Sequence, residues 1–213
     1  MGLNGVSQSF FPSLARDFIS RLQIYAGQDT ILWQHGVFSL KAAWEVCRLR
    51  DQKLKWFKLC WKGCRPRTAV VVHIIMLNKN LSFVNLQKRG LQVPSVCHNC
   101  FANADFNAHL FCSCPLANKV WKDPLELFKF PLQDFISMDQ IVDWFLLNVS
   151  TNSAKSKILR SVFSVTIWII WKARNKSLHQ GIQEDADQLV KQVIWEILLL
   201  HSFSLSDLLE LFN

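Results

Sequence analysis

Four cysteines and two histidines lie within one short segment of the chain, and this cluster constrains the fold more than any other feature. Residues 97–114 have the sequence CHNCFANADFNAHLFCSC. A C-x2-C pair forms a tight knuckle that turns both sulfurs towards one ion, and a second pair returning after a loop completes a tetrahedron. Cys97, Cys100, His109 and Cys114 have this arrangement, C-x2-C-x8-H-x4-C. The sequence therefore predicts a structural zinc site that stabilises a loop without a core of its own.

The same segment leaves other interpretations open. His98 lies inside the knuckle, where its ring is poorly placed to reach the same ion, and Cys112 could replace Cys114 but not add a fifth ligand. The cysteines could also be buried free thiols beside an incidental histidine. A catalytic zinc needs an open coordination position and a nearby acid or base. Because Asp105 is the only acid in the segment, a structural site is favoured.

The composition is typical of a folded intracellular chain. Half of the residues are hydrophobic and 12% are aromatic, enough to fill a core and to exclude a disordered tail. The charge-free stretches are shorter than the roughly 18 residues of a membrane-spanning helix, and the N-terminus lacks a signal-peptide pattern. Seven cysteines, an odd number, favour reduced thiols over a disulfide framework. We therefore expect an intracellular protein with no membrane partner.

Positive charge is concentrated in one part of the chain. Residues 41–89 contain 12 Lys or Arg against two acids, a local balance of +10; since the whole chain is +8, the remainder carries −2. Such a block favours a polyanionic partner, because counterion release makes phosphate contacts favourable. The alternative is a solvated lysine-rich surface. The predicted nucleic-acid-binding cations are Arg48, Arg50, Lys53, Lys55, Lys58, Lys62, Arg65 and Arg67.

Hydrophobic periodicity predicts a mainly helical fold. Helical spacing recurs in residues 13–22, 43–47, 51–61, 84–90, 115–121, 137–147, 154–177 and 185–211. Residues 69–77 are almost continuously apolar, which fits a buried strand or a buried helix, and we favour the helix. Thr30–Trp33 and Val37–Ser39 flank Gly36, a pattern typical of a tight hairpin. We expect a helical domain with a small β-hairpin near the N-terminus and a zinc-stapled loop, followed by a C-terminal helical extension.

Aromatic residues accompany the basic block. Trp56, Phe57 and Trp61 lie in the predicted helix of residues 51–61. Exposed aromatics among cations can stack on unpaired bases of a single strand. Tryptophans at helical spacing more often belong to a core, so we assign nucleic-acid binding to the charges rather than to the rings.

A series of motifs follows one another along the chain: Trp33, Gly36–Lys41, Trp44, Trp56, Trp61, Pro66–Arg67, Leu86–Gly90, the cysteine cluster with His109–Phe111 and Cys114–Pro115, and Trp121. In this order the motifs resemble the zinc-binding domain that follows the polymerase core in plant non-LTR (LINE-type) retrotransposon reverse transcriptases. Downstream, Trp168–Asn175 is similar to the W-x-x-W-x-x-R-N helix that usually precedes an RNase H domain. The shared order of these motifs carries the resemblance.

The resemblance implies the same four zinc ligands and a domain that holds template or target nucleic acid near a polymerase. The chain departs from the family pattern at several positions. Arg67 replaces the usual lysine, Val71 and His73 replace an aromatic F-x-W, and the acid before the histidine has become Asn107 or moved to Asp105. Such drift is consistent with a relaxed or decayed copy.

No polymerase motif of the Tyr-x-Asp-Asp type is present, and Tyr25 is the only tyrosine. The chain also ends where an RNase H domain would begin, so we expect no catalysis. The leading hypothesis is a zinc-stabilised module that binds RNA or DNA electrostatically and without sequence specificity, a remnant of a retrotransposon reverse transcriptase. The expected domains are an N-terminal helical segment (1–29), the zinc-binding-like domain (30–122) and a C-terminal helical region (123–213).

The alternative hypothesis is a helical protein-interaction fragment that keeps the fold without binding nucleic acid. The last helical stretch is richer in leucine than one buried face requires, which predicts a protein partner or self-association. The leucines concerned are Leu198, Leu199, Leu200, Leu205, Leu208, Leu209 and Leu211.

Overall fold

The computed structural model describes residues 32–33, 36–37, 39, 43, 54–93, 95–131, 133–149, 153–204 and 206. The chain divides into two compact units, Met1–Gln52 and Lys53–Asn213. No helix within the described ranges is both long enough and apolar enough to cross a membrane. The helix predicted over residues 13–22 and the cations Arg48, Arg50 and Lys53 lie outside the described residues. The predicted domain boundaries stay predictions.

The first unit contains a short antiparallel pairing. Strand β1 (Leu32–Trp33) pairs with β2 (Gly36–Val37), with Leu32 opposite Val37 and Trp33 opposite Gly36. The pairing is two residues long on each side, and an isolated pair of such strands has little stability in water. The prediction of a small β-hairpin as an element of the architecture is therefore wrong, since the described ranges are helical apart from this two-residue pairing. The main class, α, is as predicted.

Helices build the described part of the second unit. They are α1 (Phe57–Trp61), α2 (Pro66–Met76), α3 (Phe83–Gln87), α4 (Pro115–Leu127), α5 (Met138–Asn148), α6 (Ala154–Gln180) and α7 (Ala186–His201), with a five-residue π-helical turn at His109–Ser113. The apolar run at residues 69–77 falls in α2, which confirms the helix. Pro66 begins this helix at a position where a missing N–H costs nothing.

The central element is α6, which packs against α1, α2, α4, α5 and α7. Most of its residues are buried on all sides, as expected for a helix in the middle of a core. Small hydroxyl side chains let its neighbours approach closely: the Ser164 hydroxyl donates to the Leu59 carbonyl at 2.8 Å. The α6 helix begins at Ser153, whose hydroxyl accepts from the Ser156 amide, and ends at Gly181 with φ 67°.

A glycine allows α6 to meet the segment after α1. A methyl group at Gly63 would lie 2.8 Å from Arg160 Cβ and 3.0 Å from the Ser161 nitrogen. The Ser161 hydroxyl also hydrogen-bonds the Gly63 carbonyl. Gly63 is therefore required for close approach to a helix rather than for an unusual backbone angle.

Two sequence predictions about helices are wrong in detail. The last helix, predicted to continue to Leu211, ends at His201, because Ser202 adopts a left-handed conformation with φ 55° and the Phe203 amide returns to the Leu198 carbonyl. Residues 205 and 207–211 of that prediction lie outside the described residues. In α1, Phe57 and Trp61 are 50% and 40% exposed, so the expected preference of the aromatic residues for the core does not hold for these two rings, whereas Trp56 beside them is buried.

Candidate metal centre

The first half of the cysteine cluster is a tight knuckle. The Phe101 amide donates to the Cys97 carbonyl at 2.7 Å, and Phe101 has the positive φ of 56° that closes such a turn. The Cys97 amide donates in turn to the Asn103 carbonyl at 2.7 Å. These backbone hydrogen bonds place Cys97 and Cys100 on the same side of the loop, as the C-x2-C spacing predicts.

The second half is the π-helical turn. The Cys114 amide donates to the His109 carbonyl at 2.8 Å, five residues earlier, which closes a turn wider than that of an α-helix. The wide turn brings Cys114 beside His109. Cys114 is also the N-cap of α4, and Pro115 follows at the first helical position. The π-helical turn and the start of α4 therefore position His109 and Cys114.

Four donor atoms converge between these halves. One ligand atom each from Cys97, Cys100, His109 and Cys114 lies within 4.8 Å of every other. In a tetrahedral zinc site with Zn–S bonds of about 2.3 Å, sulfurs are about 3.8 Å apart, so a modest contraction would bring these donors onto one ion. His109 Nε2 is 3.2 Å from Cys100 Sγ, while Nδ1 is 3.3 Å from the Ser113 hydroxyl. Nε2 therefore faces the other donors, and Ser113 orients the ring.

Proton sharing links two of the thiols. The pKa of Cys97 is raised, first by its hydrogen bond with Cys114 and then by burial. The pKa of Cys114 is lowered, first by the hydrogen bond from Cys97, with a further contribution from the amides of Ala117 and Leu116 at the start of α4. Amides at a helix N-terminus stabilise a thiolate. Burial lowers the pKa of His109, which favours the neutral imidazole that a metal needs.

The alternative ligands lie outside this group of donors. The His98 ring packs between Phe83 and Phe101, with centroid distances of 5.5 and 5.3 Å. Cys112 is fully buried, and burial raises the pKa of its thiol to about 12. Of the six potential donors in the segment, the structure brings together the four that the spacing predicts.

Asp105, the acid of the segment, contacts residues outside the segment rather than the four metal donors. It is completely buried, and one carboxylate oxygen accepts from the Phe83 amide at 2.8 Å and from the Arg174 guanidinium at 2.5 Å. The same guanidinium lies over the rings of Phe83 and Trp171, at 4.7 and 5.1 Å. Arg174 thus anchors the metal-binding loop to α3 and α6. In the sequence, this arginine stands out only as part of the W-x-x-W-x-x-R-N motif, because its partner is far away along the chain.

The predicted cations divide into two groups. Lys55 pairs with Asp143 at 2.7 Å and with Asp139 at 3.8 Å, and Arg65 lies 3.6 Å from Glu196. The other predicted nucleic-acid-binding cations that the structure describes are exposed and have no ion pair in the described part of the chain. They are Lys58, Lys62 and Arg67. Of the predicted cations that the structure describes, this second group is the one available to phosphates without breaking an ion pair.

Comparison with known proteins adds one match. Residues 38–121 match the model of a family described as zinc-binding in reverse transcriptase. All four converging donors lie inside the matched range, so the match and the geometry agree on a zinc-binding module. Searches of curated proteins and of solved structures gave no match.

Proposed function

We propose that this protein is a non-catalytic, zinc-stabilised module that binds single-stranded RNA or DNA through electrostatic contacts and derives from a non-LTR retrotransposon reverse transcriptase. We further propose that it acts inside the cell, where thiols stay reduced. The convergence of three cysteines and one histidine inside the family match is the observation that carries the proposal. When bound, zinc would hold the loop in shape.

The chemistry of the donor set supports a structural rather than a catalytic role. Four protein ligands complete a tetrahedral zinc site and leave no position for a substrate. The one acid of the loop, Asp105, is neutralised by Arg174 and is therefore not available as a general base. Both features favour a metal that maintains shape.

The charge distribution supports a polyanionic partner. Residues 54–104 contain eight Lys or Arg and no Asp or Glu. Among them, Lys58, Lys62 and Arg67 are exposed without an ion pair in the described ranges. Each phosphate contact formed by such a cation releases counterions, so the affinity should fall steeply as salt is added.

The test is binding of a labelled single-stranded oligonucleotide at several salt concentrations. We expect the affinity to fall with salt, and the double charge reversal Lys58→Glu/Lys62→Glu to weaken binding and to flatten the salt dependence by about one unit of slope per lost contact. Lys172→Glu is the matched control, because Lys172 is an exposed lysine of α6, about 18 Å along the helix from Arg160, which contacts the segment after α1. Salt-independent binding, or equal losses in the variant and the control, would contradict the proposal.

One surface favours the alternative, a protein-interaction fragment. An apolar groove of about 670 Å³ lies beside the end of α7. Trp195 and Leu199, which line it, are 62% and 49% exposed. If no nucleic acid binds but the chain self-associates in sedimentation experiments, and Trp195→Ala abolishes this association, the alternative is the better account.

A further inference from the structure

The rings of Phe57 and Trp61 form an exposed aromatic surface on α1. They are four residues apart on one helix face, with centroids 6.0 Å apart and planes inclined by 30°. Half of Phe57 and 40% of Trp61 are exposed, whereas the neighbouring Trp56 is 93% buried. A soluble domain normally buries rings of this size, so a partly exposed stacked pair indicates a contact surface.

Side chains of α1 and α2 hold the two rings in place. The His73 side chain of α2 meets Trp61 edge-on at a centroid distance of 5.9 Å and Trp56 at 5.1 Å. Trp56 and Leu59 are anchored in the core on the opposite side of α1. A surface whose rings are fixed in this way costs little conformational entropy on binding.

Cations lie beside the rings. Lys58 follows Phe57, displaced by about 100° around the helix axis, and Lys62 follows Trp61 at the C-cap of α1. Two acids that reach the described part of this region are paired with other cations: Asp143 with Lys55, and Glu196 with Arg65. The positive charge beside the rings is therefore not neutralised by these acids.

We propose that Phe57 and Trp61 are a stacking platform for unpaired bases, with Lys58 and Lys62 contacting the phosphates beside them. The inference rests on the proposed nucleic-acid binding and extends it, because it makes the protein selective for unpaired strands. Aromatic faces stack on any base, so binding should be tolerant of sequence. Duplex DNA or RNA, whose bases are already stacked on each other, should bind through its phosphates alone.

The charge pattern favours nucleic acid over a protein partner. Val70 and Ile74 of α2 are also partly exposed, and an apolar protein surface would bury them together with the rings. Such a partner would not require the lysines beside the rings. The test therefore compares the affinity for strands with and without bases, because only stacking of bases on the rings makes the affinity depend on the bases.

The experiment compares two labelled strands of about 12 nucleotides by fluorescence anisotropy: oligo(dT) and an abasic strand with the same backbone. We expect the unaltered protein to bind oligo(dT) about tenfold more tightly, which corresponds to about 1.4 kcal/mol. Trp61→Ala and Phe57→Ala should each reduce this preference while leaving the affinity for the abasic strand unchanged. Trp61→Phe, which keeps a stacking face, should restore most of it. Oligo(U) in place of oligo(dT) shows whether RNA is bound equally.

Ile182→Ala is the control for loss of exposed apolar surface, because Ile182 is 46% exposed and follows the C-terminal end of α6, whereas the segment after α1 approaches that helix near Arg160. Zinc content and far-UV circular dichroism show whether each variant is folded. The comparison of the two strands can also be made with the unaltered protein alone, so it does not depend on the folding of any variant. Equal affinity for the two strands overturns the platform but leaves the electrostatic proposal standing. An equal effect of Trp61→Ala and Ile182→Ala also overturns the platform. If neither strand binds in a salt-dependent way, both proposals fail.

Discussion

Asp105 and Arg174 form an ion pair that is almost completely removed from solvent. Their side chains are 0% and 2% exposed, and the contact joins residues 69 positions apart. Breaking such a pair leaves one charge buried without a partner, which is more costly than the pair itself is stabilising. The pair is therefore a sensitive point for the attachment of the metal-binding loop to α6.

Replacement of one partner should be strongly destabilising. We expect Arg174→Met to lower the free energy of unfolding by about 4 kcal/mol, because the Asp105 carboxylate loses its counterion. Asp105→Asn should also destabilise, and the double variant should lose clearly less than the sum of the two single losses. Denaturant unfolding of the zinc-loaded protein and a double-mutant cycle measure this. Additive losses would show that the two side chains do not act as a pair.

Among the elements, the contact between α6 and the segment after α1 depends on a missing side chain. A methyl group at Gly63 would meet the backbone of residues 160–161, which a central helix cannot easily move. The steric demand is therefore specific to this position. The close approach at Gly63 also fixes the position of α1, with its exposed rings, against α6.

A Gly63→Ala substitution tests this contact. Overpacking against a helix backbone should lower the free energy of unfolding by about 2 kcal/mol and the melting temperature by about 5 °C. Gly90→Ala is the matched control: a methyl group there has no atom within 4 Å, so only the cost of its positive φ, about 1 kcal/mol, applies. A Gly63→Ala protein as stable as the unaltered one in thermal melts would contradict the close packing.

Local patterns in the sequence were sufficient for some elements and not for others. The knuckle and Pro66 were predictable because their geometry depends on residues close in sequence. The Asp105–Arg174 pair was not, because no spacing rule links residues that only the fold brings together. The exposed rings of α1 contradicted a general preference for buried tryptophan, since periodicity identifies a helix face but not what covers it.

The early end of the last helix has a similar explanation. Apolar periodicity continues beyond His201, but the chain turns at Ser202 into a left-handed conformation that few residues other than glycine adopt. Nothing in the hydrophobic pattern marks such a turn. The hairpin prediction was wrong for a related reason: Gly36 permits a turn, but a pairing of two residues on each side is too short to be an element of the architecture.

At the scale of the whole molecule, the helical core of the second unit carries the metal-binding loop and the exposed rings of α1. The loop of residues 97–114 buries Leu110, Phe111 and Cys112 in that core, but residues 98–104 of its knuckle are half-buried or exposed, so metal binding should supply part of the folding free energy of the knuckle. Structural zinc contributes on the order of 10 kcal/mol in zinc-finger peptides. The loop, its anchor on α6 and the basic helix α1 belong to one compact unit.

The most direct test of the central claim is the zinc content of the purified protein, measured by mass spectrometry after removal of loosely bound metal. We predict one zinc ion per chain, lost in Cys97→Ser/Cys100→Ser and retained in Cys112→Ser, because Cys112 lies outside the group of four donors. A protein without zinc, or a Cys97→Ser/Cys100→Ser variant that still holds one ion per chain, would contradict the account.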